Sequence, residues 1–308
     1  MHRPDDLDNR IAKEIGNPQS LQWNVRESYA SIARRIGVDE ETVRKRIKRA
    51  EKAGSIVRWR VTVAPNLIGC VDVYVDLEVG GSKEKGDAIS RLKQLDGVIS
   101  ILDFEGRGLF MLFDSEPGEP LARKLKLISG ICGDEEFTTW NSAVPPCDMK
   151  LSATDWRIIW AIRDEPRKNL SRIAREAGVA VRTVNRRLNL LTERRAIFLL
   201  GRPDFGRAPG VSANFLVRVT DAERTASVSD KIGSKFRTIV FGMPIAPSLL
   251  FYNIAFENLT QAKQAADWIR GLEGVKEARL GIMNGLTLVT DWIDGEIRKR
   301  AFARRVAR

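Results

Sequence analysis

The sequence predicts an α+β chain in which one two-part programme is written twice, and three observations predict it. A helix, a glycine turn and a second, cation-rich helix fill residues 28–53, and the pattern returns over residues 170–194. After each copy the apolar period changes from that of a helix to the alternation of a half-buried strand, beginning at Val71 and at Val211. The formal charge of +11, from 51 Lys and Arg against 40 Asp and Glu, points to an anionic partner, because clustered cations release counterions from a phosphate backbone.

At 308 residues the chain has room for several small cores. Four units are expected: 1–65 and 148–205 as helix-turn-helix units, 66–147 as a first sheet unit, and 206–308 as a second sheet unit with a basic C-terminal tail. Leu7, Ile11 and Ile15 stand four apart and give the first helix an apolar stripe, led by acidic residues that suit its positive end. Residues 17–27, with Pro18 and Trp23, read as a loop. Tyr29, Ile32, Ala33 and Ile36 form the buried face of the second helix, Gly37 allows the turn, and Asp39 caps the third helix. There Val43, Ile47 and Ala50 face inward, which sends Glu40, Glu41, Arg44, Lys45 and Lys48 outward. Gly54 ends this helix, and Ile56 to Val61 reads as a wing strand.

Val71, Val73, Val75, Leu77 and Val79 then alternate with polar neighbours as a strand. A helix over 85–95, strands over 98–104 and 109–114 about Gly106-Arg107-Gly108, a helix over 121–131 and a strand over 136–144 follow. This β-α-β-β-α-β order is the ferredoxin-like split unit, whose two helices cover one sheet face and leave the other to be covered. Pro145 and Pro146 punctuate the boundary. The programme restarts with an apolar helix through Trp156, Ile159, Trp160 and Ile162, capped by Ser152 or Thr154. A helix over 170–177 leads to one over 181–194, where Val184, Leu188 and Leu191 face inward and Arg182, Asn185, Arg186 and Asn189 outward. Ala180 stands where Asp39 stood, a poorer cap by about 1 kcal/mol. The second sheet unit is expected from strands over 211–219, 238–243, 249–256 and 275–283, with helices over 222–236 and 261–272. Pro244 and Pro247 mark the turn between its middle strands. Residues 286–292 read as a further strand. Arg298, Lys299, Arg300, Arg304, Arg305 and Arg308 read as a solvated tail or a phosphate-contacting arm.

His2 is the sole histidine and sits at a terminus, which argues against zinc sites, histidine acid–base chemistry and Ser-His-Asp or Cys-His pairs. Cys70, Cys132 and Cys147 are odd in number and widely spaced, so they read as buried free thiols. No cofactor or metal is expected. No apolar run approaches the roughly 20 residues of a membrane span and the start has no apolar signal core, so a cytoplasmic protein is expected.

Matching residues carry a resemblance. LDNRI and TDWRI open the units. SIARRIGVDEETVRKRIKRAEKAGSI and SRIAREAGVAVRTVNRRLNLLTERRAI form the reading pairs, and VDVYVDLEV follows VAPNLIG. Together they resemble the Lrp/AsnC family of transcription regulators, in tandem form: winged helix-turn-helix domains each followed by a ferredoxin-like sheet domain. The resemblance implies DNA-reading heads held together by paired sheet domains, here within one chain as a pseudo-dimer, with homodimers or larger assemblies left open. It also implies a small-molecule effector site at the turn between the middle strands, where relatives place a Gly-Asp-Tyr-Asp-like sequence. This chain has GRGL at Gly106 to Leu109 and GMPIAPSL at Gly242 to Leu249, without the acidic residue that would hold an amino group. A different ligand, or none, stays open.

The expected function is sequence-specific binding of double-stranded DNA, without enzymatic activity. The expected contacts are Glu41, Thr42, Arg44, Lys45 and Lys48 in one head and Arg182, Thr183, Asn185, Arg186 and Asn189 in the other. Arg and Lys pair guanine, Asn pairs adenine, and Glu accepts from cytosine. Rival readings are an architectural DNA coat, a protein-binding adaptor, and a tetrapyrrole decarboxylase of similar layout, which would use His and Arg around its substrate.

Overall fold

The computed structural model describes residues 6–17, 22–23, 26–53, 58–81, 83–133, 137–142, 145–202, 210–236 and 238–303. His2, Asp5, Pro18, Gly54, Ile56, Val57, Glu136, Val144, Arg304, Arg305 and Arg308, all used in the sequence reading, lie outside them.

The first head contains α1 (Asp6–Ile15), the two-residue strands β1 (Gly16–Asn17) and β2 (Gln22–Trp23), α2 (Tyr29–Ile36), α3 (Glu40–Ala53) and β3 (Arg58–Val63). The segment read as a loop thus carries a small antiparallel ladder, Gly16 opposite Trp23. The first sheet unit follows as β4 (Val71–Glu78), α4 (Lys85–Leu92), β5 (Val98–Phe104), β6 (Gly108–Ser115), α5 (Glu119–Cys132) and β7 (Thr138–Asn141). The second head is α6 (Ala153–Ile162), α7 (Leu170–Ala177), α8 (Val181–Glu193) and β8 (Ile197–Arg202). The second sheet unit is β9 (Val211–Val219), α9 (Arg224–Lys235), β10 (Ile239–Ala246), β11 (Leu249–Phe256), α10 (Leu259–Arg270) and β12 (Val275–Leu288), and α11 (Asp291–Ala301) follows it.

Three expectations are corrected. Pro244 lies within β10 instead of ending it; β10 is an edge strand, so the missing N–H leaves no ladder bond unmade there. Residues 286–288 continue β12 and 291–301 form a helix, so no separate strand exists. The described part of the basic tail is also packed: Ile293, Ile297 and Ala301 of α11 are buried in the core of the heads, while Lys299 and Arg300 pair with Glu296 at 2.5 and 2.6 Å.

The heads share one apolar core, which runs from Ile11, Ile32, Val43 and Ile47 through Val61 and Val63 to Trp156, Ile159, Ile173, Val184 and Leu188. β3 pairs antiparallel with β8 from Arg58 opposite Arg202 to Val63 opposite Ile197, so each wing completes the other. The Val61 N–H donates to Arg163 O at 2.8 Å and the Ala64 N–H to Ala196 O at 3.0 Å. The Arg167 guanidinium donates to Glu27 O at 2.9 Å and lies 4.4 Å from the Tyr29 ring centroid. Asn66 closes the join: its amide donates to Cys147 O at 2.7 Å and accepts from the Cys147 N–H at 3.0 Å. All three cysteines are buried and free, and burial pushes the Cys70 thiol up to about 11.

The sheet units merge into one eight-stranded sheet, ordered β10-β11-β9-β12-β5-β6-β4-β7. β12 makes the junction, pairing Val275–Ile282 with β9 along one edge and Met283–Leu288 with β5 along the other. Gly281 is required where the strand crosses, since a Cβ there would sit 3.0 Å from the Phe104 ring. The faces away from the helices then meet: Tyr74, Phe104 and Phe110 pack with Leu216, Leu249, Phe251 and Met283, and the Phe110 and Phe251 rings stack 5.5 Å apart. Asp76 pairs with Arg279 across this interface. The other two sheet edges stay apart, because β7 stops at Asn141 and Pro145-Pro146 carry no N–H for a ladder.

Asp72 and Asp114 lie opposite one another on β4 and β6. Burial raises both carboxyls, Asp114 well above the ordinary aspartate range, and mutual repulsion adds to the Asp114 shift. The pair is therefore most stable sharing a proton. A carboxyl raised by folding contributes stability that is complete below the unfolded value of about 4 and is lost as pH rises through the folded one. Asp114→Asn, whose amide can donate to Asp72, is expected to raise the urea midpoint at pH 7.5. The two proteins should converge near pH 4, as read by denaturation followed by circular dichroism.

Candidate nucleic-acid interface

In each head the reading helix is set by the same ion pair. Arg46 of α3 reaches Asp8 of α1 at 3.2 Å, where Arg49 also approaches at 3.3 Å; Arg187 of α8 reaches Asp155 of α6 at 2.5 Å. Asp155 is fully buried. It also accepts from the Ser152 N–H and hydroxyl, both at 2.7 Å, which makes Ser152 the cap of α6 through a capping box. Burial works to raise the Asp155 carboxyl, but the Arg187 and Ser152 bonds outweigh it and hold the group below the usual range. Sequence reasoning matched Arg46 with Arg187 without assigning them a partner. The signal was present, because Asp8 and Asp155 hold the same place in LDNRI and TDWRI.

Gly37 and Gly178 make the turns at φ of +73° and +66°, a region that other residues enter at a cost. Beyond the turns the heads differ. In the first, Asp39 accepts from the Thr42 N–H at 2.7 Å and the Thr42 hydroxyl at 2.6 Å. Arg44 pairs with Glu40 at 2.5 Å and lies 5.6 Å from the Tyr29 ring, while Lys45 approaches Glu41 at 3.9 Å. The outward cations of α3 thus lie among its own carboxylates; Lys48 and Glu41 are exposed. In the second head Ala180 offers no side-chain cap and the first turn of α8 has no acid. Arg182, Asn185, Arg186 and Asn189 are exposed and Thr183 is half-buried. Neither Arg182 nor Arg186 forms an ion pair among the described residues. The residues singled out from sequence therefore fall on one helix in each head, with the freer cations on α8. Sequence reasoning missed Val181, an exposed apolar residue at the start of α8.

At the Gly106 turn of the first sheet unit the Lys85 ammonium, almost fully buried, donates to Gly106 O at 2.9 Å and pairs with Asp103 at 2.5 Å. A cation of the chain itself thus lies against the turn where the resemblance implied an effector. Among the described residues no cluster of His, Cys, Asp and Glu could hold a metal, and no helix is long and apolar enough to cross a membrane.

This geometry defines a tandem winged helix-turn-helix chain with ferredoxin-like sheet units. Comparison with known proteins agrees: residues 19–51 match the AsnC-type helix-turn-helix domain, and residues 151–197 a winged helix-turn-helix DNA-binding model. Regulatory protein AsnC of Escherichia coli is 30% identical over 81 residues, 26% of this chain and 53% of AsnC. The HTH-type transcriptional regulator Ptr1 of Methanocaldococcus jannaschii is 31% identical over 87 residues, 28% of this chain and 58% of Ptr1. The chain thus spans little more than half the length of these relatives. Through its helix-turn-helix modules it groups with the Lrp/AsnC family. The crystal structure of the siroheme decarboxylase NirDL superposes over 97% of this chain and 99% of its own, with a TM-score of 0.58 and 14% identity, a likeness of fold alone.

Removing one partner of a buried ion pair leaves the other charge unpaired. Asp155→Asn is expected to cost about 3 kcal/mol of stability, measured by urea denaturation at pH 7. Because the Asp155 carboxyl is lowered on folding, its contribution is present above the unfolded value of about 4 and lost as pH falls through the folded one. The difference between the two proteins should therefore shrink below pH 4.

Proposed function

We propose that the chain is a sequence-selective, double-stranded DNA-binding transcription regulator whose two unlike heads form an intramolecular pseudo-dimer. The observation that carries this reading is the unpaired cationic face of α8, on a head bound to a second head through one core and one wing ladder. Glu41, Thr42, Arg44, Lys45 and Lys48 face DNA in the first head, and Arg182, Thr183, Asn185, Arg186 and Asn189 in the second. Residues 1–65 and 148–205 serve as heads and 66–147 and 206–308 as sheet units, with α11 lent to the heads. Two different reading helices at a fixed separation prefer an asymmetric site, with its halves one helical turn or a multiple of it apart. Selection from random duplexes should return such sites; perfect palindromes alone would overturn the pseudo-dimer.

The likeness to NirDL favours a second reading, a tetrapyrrole decarboxylase. A visible absorption band on adding a sirohaem-type substrate, followed by turnover, would establish it. An architectural DNA coat differs from a regulator in its ratio of specific to non-specific affinity, about 10³ or more for the latter.

Replacing Arg182 and Arg186 together by alanine should weaken DNA binding and reduce the slope of log affinity against log salt by about 2. Replacing Arg44 and Lys45 should weaken it less, because those cations are already paired with Glu40 and Glu41. Fluorescence anisotropy at several salt concentrations measures both.

A further inference from the structure

Val181 is the first residue of α8 and is 45% exposed. The inward residues of the same helix, Val184, Leu188 and Leu191, are at most 4% exposed, so Val181 is no part of that core. A β-branched side chain at an exposed helical position gains little from packing and is not favoured by helix propensity. Its neighbours are equally open: Arg182 follows it, and Asn185 stands one turn further along the same row of the helix. An apolar group beside an amide is chemically suited to an A·T pair, since the amide can bond adenine N6 and N7 while the apolar group meets the thymine 5-methyl. The first head cannot repeat this. Its matching residues are Glu40 and Arg44, which pair with each other at 2.5 Å.

We infer that Val181 is a specificity-determining residue of the second head, seating its side chain against the 5-methyl group of a thymine in the major groove. This rests on the proposed DNA-reading function and goes beyond it by assigning one base contact to one head.

The test replaces thymines by deoxyuridine, which removes the methyl and leaves base pairing intact. A preferred duplex is first selected with the full chain, and the half read by the second head is assigned from the protection lost in R182A. Each thymine of that half is then exchanged in turn. At one position the wild-type affinity is expected to fall about threefold to fivefold, as for one methyl group returned to water. Val181→Ala is expected to bind the thymine duplex weaker by a similar factor and to be indifferent to the exchange, while Val181→Ile keeps the sensitivity. A preferred site that tolerates every exchange overturns the inference and leaves the regulator reading intact. So does a Val181→Ala protein that still loses as much as wild type. A chain that binds all duplexes alike overturns both.

Discussion

The antiparallel pairing of β3 with β8 is the constraint on which the arrangement of this molecule depends. A lone wing strand leaves a row of unpaired backbone groups, and each wing here supplies the partner the other lacks. Once the strands are paired, Val61 and Val63 lie between the two sets of helices and one apolar core forms where two would otherwise be needed. Two helical units, each small for independent stability, thereby gain the interior of a larger body. The same pairing fixes the orientation of α3 relative to α8. Arg60 reinforces it by pairing with Asp164 of the second head and Asp294 of α11.

Within that frame the two heads keep one interior and differ outside. The Asp–Arg pair, the glycine turn and the inward aliphatic residues recur, so both reading helices are set against their scaffolds in the same way. Divergence is confined to the first turn and the outer face. In α3 the carboxylates of Asp39, Glu40 and Glu41 engage its own donors. In α8 Ala180, Val181 and Arg182 leave that surface open. An ion pair within an exposed helix contributes only a few tenths of a kcal/mol, so the effect of Glu40 and Glu41 on stability is small. Their effect on the local potential is larger, because they offset charges that an anion would meet.

The helices of the heads and most strands were legible in the sequence because their period is set by burial on one side, and burial on one side is a local property. Gly37, Gly178 and the inward residues of α3 and α8 could be assigned for that reason. The joining of the sheets was not legible. β12 reads as an ordinary strand as far as Met283, and nothing local distinguishes a strand that stops there from one that runs on to Leu288 to meet β5. The packing of α11 was hidden in the same way, since Ile293 and Ile297 are masked in sequence by the cations that follow them. At the reading surface, charge type and direction could be read from spacing. Whether a cation is held by its own helix could not, because Arg44 with Glu40 and Arg182 with no acid depend on the first turn as a whole.

The sharing of β12 carries a consequence for biosynthesis. The first sheet unit is translated long before the strand that completes its β5 edge, so an N-terminal half emerging from the ribosome presents an unpaired, largely apolar strand edge. Domains of most multidomain chains fold in the order in which they are made. Here the first unit must wait with that edge open until nearly the last segment arrives. Truncation near the C-terminus therefore damages the beginning of the protein as well as its end.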